Sequence, residues 1–168
     1  MLSRLFAAAA ALALLAAPAA AQQEQRTELT LILDWFLNPD HAPIVVAQER
    51  GYFADAGLDV EVREPADPNN PPKLVAAGKA DIAISYQPQL HMQVAEGLPL
   101  ARIGTLVATP LNTVLALADG PVQTLADLQG KSVGYSVGGF EETLLQAMLS
   151  QAGLSMHSIE LVNVNFSL

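Results

Sequence analysis

The sequence predicts an α/β fold in which short parallel strands alternate with helices. Three observations carry this. Strand-like apolar runs alternate with helix-period segments, joined by short connections, from Glu28 to Val164, and that order implies parallel strands linked by crossover helices. The first run, Glu28 to Leu33, starts by alternating and becomes continuously apolar, as a strand covered on both faces does. After the turn Asp119-Gly120-Pro121 the pattern begins again. A boundary is therefore expected near residue 120, between a first unit (22–119) and a second (120–168).

Residues 1–21 read as an export leader and are set apart from the fold. Arg4 supplies the positive start, Ala7 to Ala17 is apolar, and Ala19-Ala20-Ala21 offers a small-residue cleavage site. The apolar run is shorter than the roughly 20 residues a spanning helix needs. Cleavage after Ala21 and a periplasmic location are the expectation. The chain has no cysteine, which excludes a lipid-carrying cysteine, disulfides, thiolate metal sites and cysteine nucleophiles. A formal charge of −9 argues against nucleic acid, whose phosphates call for a Lys/Arg surface.

The elements follow in order. A helix is expected over Ala42 to Arg50, ended by Gly51, and a short helical turn over Tyr52 to Ala56, closed by Gly57. Leu58, Val60 and Val62 alternate with Asp59 and Glu61, the mark of a half-exposed strand. Pro65 to Pro72 is a loop whose last prolines can open a helix running through Leu74 and Val75 to Gly78. Asp81 to Tyr86 reads as the third strand and Pro88 to Glu96 as a helix stopped by Gly97. Leu100 to Val107 and Val114 to Ala118 read as two further strands. In the second unit come a short helix near Leu125 to Leu128, a strand Ser132 to Tyr135 and a glycine turn Val137 to Phe140. A helix Glu141 to Ala152 and an apolar run Ile159 to Val164 complete it. This second unit is at the low margin of what folds alone without disulfides or metal. Its pattern stops part-way, so the chain is expected to be C-terminally truncated, with most of its second lobe missing.

The stretch Leu33 to His41 stands out. It places the chain's one tryptophan, Trp35, with Asp34, Asn38, Asp40 and His41 in the first strand-to-helix turn. Open α/β sheets bind ligands outside the carboxyl ends of their strands, so this turn is expected to be half of a small-molecule site. The scattered histidines lack the spacing of metal ligands, and neither a metal nor a cofactor is expected.

Several phrases carry a family resemblance: Leu33-Asp34-Trp35-Phe36 with Asn38 and His41, then Glu49-Arg50-Gly51-Tyr52-Phe53, Gly57-Leu58-Asp59-Val60-Glu61, Leu74 to Asp81, and Ile84-Ser85-Tyr86-Gln87. Gly134-Tyr135-Ser136 through Glu141-Glu142, and Glu160 to Asn163, continue it. Together they resemble the thiamine pyrimidine synthase-like group of periplasmic substrate-binding proteins. The resemblance implies a type II periplasmic binding protein-like fold of two doubly wound lobes, the second one incomplete here. It implies a binding protein, not an enzyme, that captures a thiamine pyrimidine precursor (a hydroxymethyl or formylaminomethyl aminopyrimidine). The partners implied are that aminopyrimidine and an ABC permease in the inner membrane. Two alternatives stay open. Nitrate, sulfonate and taurine binding proteins share the Gly-Tyr-Phe and Gly-Leu-x-Val-Glu pieces, and the family also contains pyrimidine synthases.

For such a ligand, Trp35 offers a flat face for stacking, unless it is buried between strand and helix. Tyr86 forms the other wall or donates its hydroxyl, with Gln87 beside it. Asp34 and Asn38 suit the exocyclic amine and ring nitrogens, although Asp34 can equally cap the turn. His41 either touches ligand or caps the helix start. Gly138 and Gly139 open a helix after a strand, where backbone N–H groups face outward. Glu141 or Glu142, undecided between them, accepts a ligand N–H from the second unit, or both simply favour the helix N-terminus. Asn112 is a candidate contact from the crossover.

Overall fold

The computed structural model describes residues 26–109, 111–136 and 140–164. The expected leader (1–21) and the glycine pair Gly138 and Gly139 lie outside the described residues. The first unit forms a three-stranded parallel sheet in the order β2-β1-β3, built from β1 (Thr27–Ile32), β2 (Leu58–Arg63) and β3 (Ile82–Ala83). The register pairs Leu31 of β1 with Val62 on one side and with Ile82 on the other. β1 is therefore central, which explains its run of apolar residues. Leu31, Ile32 and Leu33 are all buried.

Helix α1 (Ala42–Glu49) follows β1, and the short α2 (Tyr52–Asp55) leads into β2. Gly51, between them, adopts a left-handed φ of 73°, a conformation that side chains with a Cβ resist. This lets the chain break α1 and restart at once. Ile44 of α1 packs on Leu31 and Leu33, with Phe53, Val60, Val62, Ile82 and Ile84 around them. The loop after β2 ends in α3 (Pro71–Ala76), with proline in its first turn as expected. β3 leads into α4 (Gln87–Ala95). The third strand is shorter than the expected Asp81 to Tyr86. Ile84 still donates to Ile32, but Tyr86 already stands at the cap of α4.

The second sheet pairs β4 (Ser132–Tyr135) with β5 (Glu160–Asn163) in parallel. The crossover is α5 (Phe140–Gln151). Its Leu145 and Leu149 join Leu128 in a second core, against which Val133, Leu154, Ile159 and Leu161 pack. Leu149 is fully buried.

One expectation fails here. Neither Leu100 to Val107 nor Val114 to Ala118 forms a strand. An apolar run gives a strand only where a neighbouring strand takes up its backbone bonds, and among the described residues neither run pairs with a strand of either sheet. Val114 turns inward onto the second core, while Ile103, Leu115 and Leu117 are each at least 80% exposed. No helix of the described residues is long and apolar enough to cross a membrane.

Candidate functional site

The strand order explains where a site can form. From central β1 the chain goes to β2 on one side and then crosses to β3 on the other. The crevice between the carboxyl ends of β1 and β3 is thus a topological switch point. Asp34 lies just past the end of β1 and Tyr86 just past β3, and the Tyr86 hydroxyl donates to Asp34 Oδ2 at 2.7 Å. A residue pair 52 positions apart in sequence is brought together by that strand order.

On the other carboxylate oxygen, Asp34 Oδ1 lies 2.7 Å from His41 Nε2. His41 is 1% exposed and ends the 3-10 turn Pro39–His41. Asn38 caps that turn. Its Oδ1 accepts from the Asp40 N–H at 2.9 Å, its Nδ2 donates to the Phe36 carbonyl, and its own N–H points at His41 Nδ1 at 3.3 Å. Burial, first, and then the hydrogen bond and charge of Asp34 push the Tyr86 hydroxyl well above its usual range, so it stays a donor.

Opposite stands the start of α5. Phe140 is 4% exposed and its ring centroid is 5.2 Å from that of Tyr86, tilted by 32°. Next to it, Glu141 has a buried Oε2 that accepts no hydrogen bond among the described residues. Burial raises the Glu141 carboxyl above its ordinary range, against backbone hydrogen bonds that lower it, with the Glu142 charge adding to the rise. An unmet acceptor in a cleft wall is suited to a ligand N–H.

These groups border a cleft of about 870 Å³ between the two sheets, within the size usual for small-molecule sites. Its charged lining residues are Asp34, Glu141 and Lys131, and Trp35 and Asn112 also line it. A second hollow of about 300 Å³ is lined by Glu28, Asp59, Glu61 and Asp81. It sits by the amino-terminal half of β1, away from the end at which such sheets bind ligands.

Of the expected site residues, Asp34, Trp35, Tyr86, Asn112 and Glu141 thus meet in one cleft. Of the two glutamates, Glu141 lines the cleft and Glu142 is exposed. Three others lie outside its lining. The Asn38 side chain is consumed by its own turn, and His41 is buried behind Asp34 with both ring nitrogens engaged. Gln87 is exposed and bonds to Arg102, with His91 beside it. Phe140 and Gln89 belong to the lining without having been expected. Gln89 accepts from Ser85 at 2.8 Å, and its one-turn spacing from Ser85 was the available signal.

The fold is that of a type II periplasmic binding protein, represented here in part. The chain superposes on the periplasmic aliphatic sulphonate binding protein SsuA of Escherichia coli with a TM-score of 0.65 at 19% identity, covering 83% of this chain and 44% of that one. The alkanesulfonate-binding protein SsuA of Xanthomonas axonopodis pv. citri, bound to MOPS, gives 0.61 at 19% identity, with 83% and 48% covered. Residues 38–168 match the family described as NMT1/THI5 like, and the chain belongs to that family. A Haemophilus influenzae protein named for thiamine biosynthesis is 57% identical over 143 residues, 85% of this chain and 46% of that protein. The formylaminopyrimidine-binding protein of Halalkalibacterium halodurans is 38% identical over 138 residues, with 82% and 42% covered. A Legionella pneumophila protein named 4-amino-5-hydroxymethyl-2-methylpyrimidine phosphate synthase is 31% identical over 142 residues, with 84% and 45% covered. The chain spans less than half the length of these relatives.

Proposed function

We propose that the protein is a substrate-binding protein that captures a thiamine pyrimidine precursor and delivers it to an ABC permease in the inner membrane. The observation that carries this is the pair of carboxylates, Asp34 and Glu141, facing one aromatic-walled cleft from the two sheets. A 4-aminopyrimidine has the matching parts: a flat ring for Trp35, Tyr86 and Phe140, and an exocyclic amine that donates. The likeness to a formylaminopyrimidine-binding protein supports the same ligand class. On this reading the protein acts in the periplasm, its leader removed after Ala21, and hinge closure of the two units around the ring is what the permease recognises. It performs no chemistry on the ligand. Relatives named as synthases make catalysis the reading to exclude by a turnover assay.

The structural neighbours that bind sulfonates favour a second reading, an anion site. Oxyanions call for Arg or Lys in the cleft, and Lys131 is the only cation of the described lining. Isothermal titration with 4-amino-5-hydroxymethyl-2-methylpyrimidine, its formylaminomethyl analogue and an alkanesulfonate decides between them. Heat with the pyrimidines alone is expected, and binding of the sulfonate alone would sink the assignment. Trp35→Ala should weaken pyrimidine binding about tenfold, the loss of one stacked, buried face. Unchanged affinity would make Trp35 a packing residue.

A further inference from the structure

The 3-10 turn Pro39–His41 is closed by a reciprocal cap, Asn38 at its start and His41 at its third position. Glutamate or glutamine usually fills that third position, because only an acceptor for the cap N–H is needed. Histidine meets that need with Nδ1 and, like the glutamine amide, carries a second polar atom, here Nε2 on the far side of a rigid ring. Here Nδ1 faces the Asn38 N–H at 3.3 Å and Nε2 faces Asp34 Oδ1 at 2.7 Å. An N–H cannot donate to a protonated nitrogen, so the Asn38 N–H selects the tautomer with the proton on Nε2. That proton points at Asp34. The Tyr86 O–H points at the other Asp34 oxygen at 2.7 Å. With a donor on each oxygen, the carboxylate, an acceptor in any setting, is held in one orientation at the cleft lining.

We propose that His41 is a positioning residue: held in its Nε2–H tautomer by the Asn38 backbone, it anchors one oxygen of Asp34 and so holds the remaining lone pairs of that acceptor-only carboxylate in one orientation beside the cleft. Asp34 thereby selects ligands that present an N–H at this point and rejects isosteres that present a lone pair. This explains why the chain places an almost fully buried imidazole beside its cleft without letting it reach the cleft. The selectivity half rests on the aminopyrimidine reading, whereas the tautomer half stands on the fold alone.

Two measurements test it. Nitrogen-15 NMR of the full chain, labelled at histidine, should show His41 Nδ1 as the unprotonated nitrogen and Nε2 as the protonated one; the reverse assignment overturns the proposal. Titration should then compare 4-amino-2,5-dimethylpyrimidine with its 4-methoxy counterpart, which offers only lone pairs at that position. The protein is expected to prefer the amine tenfold or more. His41→Leu, which leaves the carboxylate an acceptor but loosens its orientation, should lower that ratio several-fold. His41→Gln should restore it, because an amide sets an acceptor and a donor across one carbon as the imidazole does. A ratio unchanged in His41→Leu, or one that His41→Gln fails to restore, refutes the positioning role. If neither pyrimidine binds, the proposed function and the selectivity fall together, and the tautomer measurement alone decides how His41 is held.

Discussion

Replacing Tyr86 by Phe removes one hydroxyl and nothing else from the packed ring. The hydroxyl donates to Asp34 Oδ2 at 2.7 Å, and the Asp34 side chain is only 13% exposed. A hydrogen bond to a charged group contributes about 1.5–3 kcal/mol. Asp34 keeps its bond to His41 on the other oxygen, and water entering the cleft can replace part of what is lost. The expected cost is therefore about 1–2 kcal/mol, near the lower end of that range. For a chain of this size that corresponds to a fall in Tm of about 2–8 °C. Equilibrium urea unfolding with circular dichroism should show the loss in midpoint at constant slope. A double-mutant cycle with Asp34→Asn should return a coupling of about 1 kcal/mol. If Tyr86→Phe leaves the midpoint unchanged, or the coupling is near zero, the link between the β1 and β3 ends is not energetic and the site argument loses its base.

Glu141 supplies a pH signature. Its folded-state affinity for a proton is raised, chiefly by burial, so ionising it costs the folded state more than the unfolded one. Below the ordinary glutamate value of about 4.3 both states hold the proton and nothing is lost. The cost develops as pH rises through that value and is complete above the raised one. Glu141→Gln should accordingly stabilise the protein at pH 7 and leave it unchanged near pH 3, as read by urea midpoints; a benefit independent of pH would contradict the assignment. Leu149→Ala, at a position fully buried in the second core, should cost about 2–5 kcal/mol. A loss under 1 kcal/mol in the same unfolding assay would mean that α5 does not hold the second sheet.

The local chemistry of the chain was legible because it repeats within a few residues. The apolar run into Leu33, the alternation of β2 and the prolines at the start of α3 each fix their own element. Gly51, with its φ of 73°, fixes where α1 stops. The lack of cysteine likewise ruled out thiol chemistry in this chain by a simple count. The misreading of Leu100 to Val107 and Val114 to Ala118 as strands has one cause: an apolar run describes local character, whereas a strand also requires a paired neighbour, which no local pattern contains.

The site divides along the same line. That the Asp34 to His41 turn would border a cleft followed from its residue types and its place after β1. Which of its side chains face the cleft did not. Asn38 and His41 are as polar as Asp34, yet the reciprocal cap spends Asn38 on its own turn and seals His41 behind the carboxylate. Glu141 and Glu142 are the same residue type at neighbouring positions, and only the packing of α5 against the rest of the fold half-buries one and exposes the other. Sequence determined the elements and the chemical character of the turn, because those depend on neighbours a few residues apart. Tertiary structure decided the cleft, because it consists of groups such as Tyr86 and Asp34, 52 residues apart, that meet only through the crossing from β2 to β3.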